Sequence, residues 1–315
     1  MPRAILIGGP TASGKSELAL RLAEHLGGVV INADAMQVYA ELEILTARPG
    51  SADLARAPHR LYGHRSGRDP GSMADWVAEA HREIAASQAE GLVPILVGGT
   101  GLYLRALAEG FSNIPPVPAD IRQATAQRRE QKGPEAFFTW LSANDLHSAV
   151  TLTAGDTQRV LRAAEVLEAT GKPLSHWHGD PGAHPGLPSF DRLTLIPPRQ
   201  PLYATCNARF EKMLDLGALE EVRRFASLGL PRNLPVNKAL GLPELRAHLA
   251  GDLTLEQAVA AAQQATRNYA KRQLTWFRNQ VKPDPNAPAR RDLRLDAQYS
   301  ESFLEKIVSF VQKDR

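Results

Sequence analysis

The chain has 315 residues, 37 Lys and Arg against 34 Asp and Glu for a formal net charge of +3, and is 43% hydrophobic and 23% charged. That balance is ordinary for a soluble globular protein with room for one large domain plus an insertion, and no apolar run approaches the length of a membrane span. A single cysteine, Cys206, excludes a disulfide framework and any cysteine-based zinc site; a strand at the very N-terminus leaves no signal peptide, so the cytoplasm is the expected location.

Ala4–Gly8 reads as a buried strand. It runs into Gly9-Pro10-Thr11-Ala12-Ser13-Gly14-Lys15-Ser16, a complete Gly-x-x-x-x-Gly-Lys-Ser loop, and then into an amphipathic helix over Lys15–Leu26. Strand, glycine-rich turn and helix N-terminus in that order bring backbone N–H groups together on a phosphate. Lys15 reaches the terminal phosphates as a point charge and Ser16 offers its hydroxyl to Mg²⁺. A di- or triphosphate ligand is therefore expected.

A second strand, Val29–Ile31, ends at Asn32-Ala33-Asp34. Asp34 can be a helix N-cap, a Mg²⁺ ligand or a general base, and the residues alone leave all three open. Met73–Glu90 reads as a helix capped by Ser72. Val93–Val97 is a third strand, followed by Gly98-Gly99-Thr100-Gly101 and a helix over Leu102–Ala108. Thr100 suits either a cap or a ligand contact. The alternation predicts an α/β protein with a parallel sheet, whose strand ends carry the loop, Asp34 and Thr100 to one crevice.

Near residue 112 the rhythm changes. Ile114-Pro115-Pro116-Val117-Pro118 is a stiff connector, Ala119 to about Leu174 is helical, and Gly179 to Pro188 reads as a return linker before a strand at Arg192–Ile196. The expected organisation is an α/β core over 1–111 and 191–282, an all-helical insertion over 112–190 and a tail over 283–315. Leu202–Leu216, Ala218–Leu228 and Leu255–Asn279 are predicted helices. Pro283 to Arg291 is predicted irregular, and Ser302–Gln312 a last short helix.

Basic residues cluster twice. Between Gln257 and Pro283 there is no acid, but there are Arg267, Lys271, Arg272, Arg278 and Lys282; mid-chain lie Arg122, Arg128, Arg129 and Lys132. Either group alone fits a solvated face, and the two together fit a polyanion gripped in more than one place. Arg209, on a predicted helix, suits a phosphate clamp or an ordinary surface position. Gln158, Arg159 and Arg162 share a helix, with the two arginines on one face. In Lys271-Arg272-Gln273-Leu274-Thr275-Trp276-Phe277-Arg278 the two adjacent aromatics cannot face one way, so at least one packs inward, which leaves Lys271, Gln273 and Arg278 to a nucleic acid.

Together these segments resemble the tRNA dimethylallyltransferase (tRNA isopentenyltransferase) family, bacterial in type. The likeness rests on the loop at 9–16, Asp34 with Gln37-Val38-Tyr39, Thr46-Ala47-Arg48-Pro49, Pro58-His59-Arg60-Leu61 and Gly98-Gly99-Thr100-Gly101-Leu102-Tyr103. Asp156-Thr157-Gln158-Arg159 with Arg162, and Ala270 to Arg278, extend it. The resemblance implies a P-loop NTPase-like fold and transfer of a dimethylallyl group from dimethylallyl diphosphate to N6 of the adenosine 3′-adjacent to the anticodon, in tRNAs reading codons that begin with U. Gly9 to Ser16 and Arg209 would bind the diphosphate, with Mg²⁺ held partly by Ser16. Asp34 would be the base, assisted by Thr100, Lys15 and Arg209. Asp34, Ala35, Met36, Gln37, Thr100, Arg122, Gln158, Arg159, Arg162, Lys238, Lys271, Arg272, Gln273, Trp276 and Arg278 would touch the anticodon stem-loop, and the chain would act as a monomer.

Three departures stand out against the family pattern: Ala35 for a serine, Leu45 for a glycine, and Leu242-Pro243 where an aromatic and a basic residue are common. The alternatives are an adenylate isopentenyltransferase or nucleotide kinase that takes a free nucleotide such as ATP, and an RNA-binding module whose loop only senses a ligand.

Overall fold

A computed structural model describes residues 3–177, 184–187, 189–280 and 290–313. The chain divides into two compact units, 1–108 with 187–315 and 109–186. Most of the return linker read at 179–188 and the start of the irregular segment at 283–291 lie outside the described residues.

The larger unit begins with β1 (Ala4–Gly8), α1 (Lys15–Leu26), β2 (Gly28–Asn32), α2 (Ser51–Arg56), β3 (His59–Arg60), α3 (Met73–Ala89), β4 (Val93–Gly98) and α4 (Gly101–Glu109). The smaller unit holds β5 (Gly110–Phe111), α5 (Ala119–Lys132), α6 (Pro134–Asn144), α7 (Leu146–Thr151), α8 (Thr157–Thr170), α9 (Leu174–Trp177) and β6 (His184–Pro185). The larger unit then resumes with β7 (Phe190–Leu195), α10 (Arg199–Asp215), α11 (Ala218–Ser227), α12 (Leu242–Leu249), α13 (Leu255–Gln280), β8 (Arg290–Leu295) and α14 (Leu304–Gln312).

Six strands form one sheet in the order β3-β2-β4-β1-β7-β8, with every pairing parallel. The α/β reading of the sequence is borne out. β1, β2 and β4 are buried along their whole length, which is why they read as unbroken apolar runs and not as alternating ones. One face of β1 and β4 packs on the apolar stripe of α1, Leu18, Ala19, Leu22 and Ala23. Ser72 caps α3 by accepting from the Asp75 N–H at 3.1 Å. In the smaller unit, Phe137 and Leu141 of α6 pack on Val160, Ala163 and Ala164 of α8. Its β5 and β6 form a two-stranded antiparallel pair.

The C-terminal tail is a correction. Residues 290 and 291, the end of the segment read as irregular, instead begin β8, which runs to Leu295 in register with β7 from Phe190–Arg290 to Leu195–Leu295. α14 follows and buries Ile307, Val308 and Val311 in the same core as α1. The segment after 290 therefore belongs to the sheet domain.

Candidate active site

The centre of the sheet delivers three chemistries side by side. β1 ends in the phosphate loop, β4 beside it ends in Gly99-Thr100, and β2 beside β4 ends at Asp34. Open parallel sheets place ligands beyond these carboxyl ends.

The loop turns through left-handed backbone at Ala12 (φ 63°) and Gly14 (φ 86°), which lets it wrap back onto the N-terminus of α1. The Lys15 ammonium lies folded on the loop, donating to the Pro10 carbonyl at 3.2 Å. Burial pushes its pKa down to about 8, with Arg209 adding to the fall and Asp34 opposing it. Arg209 reaches in from α10 and donates to the Thr11 hydroxyl; burial holds its guanidinium below the usual value as well. Two partly desolvated cations on one loop are an electrostatic deficit that a diphosphate would fill.

Thr11 itself supports the loop more than it faces a ligand. Its N–H donates to Gln273 Oε1 at 2.8 Å and its hydroxyl is engaged by Arg209. Ser13 is buried with its hydroxyl turned toward the Gly9 backbone. Ser16 stays exposed in the first turn of α1, where an oxygen ligand can be reached.

Asp34 is fixed by Asn32, a residue the sequence reading passed over. Asn32 Oδ1 accepts from the Asp34 N–H at 2.8 Å, while its Nδ2 donates to the carbonyls of Asp34 and Leu61, each at 3.0 Å. Asn32 is held in turn by Trp76 Nε1, which donates to its carbonyl at 2.9 Å. Asp34 Oδ1 accepts from the Met36 N–H at 2.9 Å; Oδ2 faces Gly99 and has no hydrogen-bond partner among the described residues. That second oxygen is placed to take a proton. Thr100 Oγ1 accepts from the Ala35 N–H at 3.0 Å, joining the ends of β2 and β4, and Tyr269 of α13 lies beside Thr100 and Gln273. Burial and the Asp34 charge push the Tyr269 phenol up, so it stays neutral. Helical spacing alone could have found Tyr269, since it stands four residues before Gln273.

Gln273 requires a second correction. It is buried, its Oε1 holds Thr11 N–H, and its Nε2 donates to the Gly99 carbonyl at 2.8 Å. Both ends of the amide are engaged by backbone, so it bridges the phosphate loop to the end of β4 and is not free for a nucleic acid. Its neighbours seat the same helix: a Cβ at Gly101 would lie 2.2 Å from the Trp276 ring, and one at Gly8 2.5 Å from the Phe277 ring. Phe277 is buried and Trp276 half-buried, as their adjacency required. Lys271, Arg272 and Arg278 are exposed on α13, and Arg272 lies over the Tyr269 ring.

The motif at 46–49 also works from within. Gln37 Nε2 donates to the carbonyls of Thr46 and Ala47 at 2.8 and 2.9 Å, so both its amide protons hold a loop. The backbone N–H groups of Glu43, Ile44 and Leu45 donate to the buried Glu221 carboxylate of α11 at 2.7 to 2.9 Å. Leu45 is accordingly buried and integrated, and Leu242 is buried in the first turn of α12 with Pro243 exposed beside it. Neither departure disturbs the elements around it. Ala35 contributes its N–H, not a side-chain group, to Thr100.

Lys238 is exposed before α12. In the smaller unit, Arg122 is exposed on α5. Gln158 and Arg159 are exposed at the start of α8, and with Arg162, His147, Thr151 and Leu174 they line a cavity of about 350 Å³.

A family model described as IPP transferase matches residues 37–280. The chain belongs to the IPP transferase family. It is 58% identical over 88% of its length, and 88% of the relative's, to a protein of Rhodospirillum centenum (strain ATCC 51521 / SW) named tRNA dimethylallyltransferase. The full-length tRNA isopentenylpyrophosphate transferase of Bacillus halodurans matches it with a TM-score of 0.68 at 30% identity, covering 99% of this chain and 96% of that one. A eukaryotic dimethylallyltransferase acting on tRNA shares the fold, with a TM-score of 0.78 at 24% identity over 100% of this chain and 81% of that one. The family match starts after the phosphate loop and stops before β8, so both ends of the sheet domain extend past it. No helix among the described residues is long and apolar enough to cross a membrane.

Proposed function

We propose that the chain transfers a dimethylallyl group from dimethylallyl diphosphate to N6 of the adenosine 3′-adjacent to the anticodon of tRNAs that read codons beginning with U. One observation carries the reading. Lys15 and Arg209 converge on the phosphate loop at the end of β1, while Asp34 and Thr100, joined through Ala35, sit at the ends of the adjoining strands.

In that arrangement the N6–C1 bond forms as the C1–O bond to diphosphate breaks. The electron pair leaves with the diphosphate, and one N6 proton passes to Asp34 Oδ2. Lys15, Arg209 and the loop amides stabilise charge building on the departing diphosphate, a term worth ~3–4 kcal/mol per well-placed donor in comparable sites. Asp34 needs no reorganisation, because Asn32 fixes its backbone and Met36 N–H fixes its other oxygen. Thr100, with its oxygen lone pair on Ala35 N–H, can orient the amine. Adenine must leave the anticodon stack to reach this crevice.

Mg²⁺ fits as a diphosphate-borne ion. No group of three or more His, Cys, Asp or Glu among the described residues could cage a metal, whereas the exposed Ser16 hydroxyl suits an ion that keeps several waters and takes its remaining ligands from phosphate. When bound, it would neutralise charge on the leaving group. For the RNA, the exposed Lys271, Arg272, Arg278, Lys238, Arg122, Gln158 and Arg159 supply phosphate-directed groups, and a tRNA acceptor fits a cytoplasmic enzyme.

The test is incorporation of labelled dimethylallyl diphosphate, with Mg²⁺, into an unmodified anticodon stem-loop, with AMP and ATP as parallel acceptors. Label at the adenine beside the anticodon is expected. Label confined to AMP or ATP would move the chain to the nucleotide-prenylating class.

A further inference from the structure

The phosphate loop is gripped from outside by a segment that lies beyond the family match at residue 280. After β8, the Tyr299 N–H donates to the Ser13 carbonyl at 3.0 Å. The Gln298 Nε2 donates to the Ala12 carbonyl at 3.1 Å and to the Thr205 hydroxyl of α10 at 2.9 Å. Gly14 closes against the same place: a Cβ there would lie 2.8 Å from Tyr299 Cβ.

These contacts fall on the residues whose backbone is unusual. Ala12 has φ 63° and Gly14 φ 86°, and Ser13 lies between them. A non-glycine residue in the left-handed region costs of order 1–2 kcal/mol and persists where its surroundings over-determine it. The Ala12 and Ser13 carbonyls accept from this segment while the Ser13 N–H donates within the loop to the Pro10 carbonyl at 3.3 Å, so holding the two carbonyls fixes the peptide planes of the turn. The anchor is not a loose tail, because β8 is paired with β7 along its length and α14 is packed on α1. Gln298 also ties the loop to α10, the helix that carries Arg209. One side chain thus couples the two halves of the anion site.

We infer that Gln298 and the Tyr299 backbone are positioning elements for the diphosphate loop, setting its left-handed turn and its spacing to α10. The inference rests on the diphosphate reading of that loop. Because the contacts of Gln298 and Tyr299 run to the loop and to α10, with none to Asp34 among the described residues, the brace should act on diphosphate affinity and leave the acceptor step alone.

The test uses the full-length chain and two isosteric variants. Gln298→Glu keeps size and packing but replaces the amide donor with a carboxylate facing the Ala12 carbonyl, and Thr205→Val removes the second anchor. For Gln298→Glu, the dissociation constant for inorganic diphosphate, read by calorimetry, and KM for dimethylallyl diphosphate should rise together by about 5–15-fold, the scale of one lost hydrogen bond. Thr205→Val should move both in the same direction by less, and KM for the stem-loop should stay unchanged in each. Unaltered diphosphate affinity in Gln298→Glu, with or without a fall in melting temperature, overturns the brace. If wild-type protein binds neither diphosphate nor dimethylallyl diphosphate, the reading of the loop fails first, and that result is distinct.

Discussion

The two compact units carry positive charge in opposite ways. In the sheet domain, Lys15 and Arg209 are drawn from water onto the phosphate loop, and burial depresses both. In the helical unit, Arg122 and Arg159 stand in solvent, Arg128 pairs with Glu168, and Arg162 lies 3.8 Å from Glu165. A desolvated cation is costly to the fold and strong toward an arriving anion; a surface cation is cheap, screened by salt and weak singly. Substitutions at the two buried cations of the sheet domain should therefore change chemistry or diphosphate binding. Those at exposed cations, on the helical unit or on α13, should change RNA affinity in small, salt-dependent steps.

The sharpest break comes at Asp34. Asp34→Asn keeps an acceptor for the Met36 N–H but cannot take a proton, so kcat should fall by about 10²–10⁴ with stem-loop affinity intact. Single-turnover transfer and filter binding would measure the two sides. A variant with near wild-type kcat would remove Asp34 as the base.

Next in size is the bridge between loop and strand. Gln273→Leu leaves the Thr11 N–H and the Gly99 carbonyl without their partner inside the crevice. At about 1–3 kcal/mol for each unsatisfied buried group, the domain should lose about 2–6 kcal/mol of stability, and KM for dimethylallyl diphosphate should rise as the loop loosens. Urea unfolding beside steady-state kinetics would check both. A full-stability variant that only lost RNA affinity would return Gln273 to the nucleic-acid surface.

How much of this was legible in the sequence follows from where each partner lies along the chain. The phosphate loop, Asp34 and Thr100 could be read because strand, turn and helix signals are contiguous. Gln273 could be seen only as one polar residue in a basic helix, since its partners stand 174 and 262 residues away. Asn32 is silent for a similar reason: its role depends on Leu61 and Trp76. β8 was missed because Arg290-Arg291-Asp292-Leu293-Arg294-Leu295 has the composition of a solvated segment. It is an edge strand whose charges pair with the strand beside it, Arg291 with the fully buried Asp191 and Asp292 with Arg192. Charged edges of this kind keep a sheet from adding further strands. The sequence pattern therefore hid a core element behind its protective chemistry.

A pH series sharpens the comparison at the third level. The folded pKa of Lys15 is lowered to about 8, below its value in an unfolded chain. The folded state thus binds fewer protons than the unfolded state between pH 8 and about 10.4, so the destabilisation this group causes is complete below pH 8 and fades above it. Diphosphate binding has the opposite dependence, because it needs the ammonium. KM for dimethylallyl diphosphate should hold steady up to pH 8 and then climb toward about tenfold per pH unit, the limit for one proton. A flat profile from pH 7 to 10 would detach Lys15 from the diphosphate.

The smallest effect belongs to the helical unit. Arg159 is exposed at the start of α8, beside Gln158 on the rim of a cavity. If it contacts a phosphate, Arg159→Ala should weaken stem-loop binding by only a few-fold at moderate salt and lower the slope of log K against log salt by about 0.7–0.9. Diphosphate affinity, governed by the loop in the other unit, should not move. The slope is the informative number, because a few-fold loss could also come from a disturbed helix, whereas one fewer released counterion could not. An unchanged slope with unchanged affinity would mark Arg159 as a solvated face, leaving the exposed cations of α13 to hold the RNA.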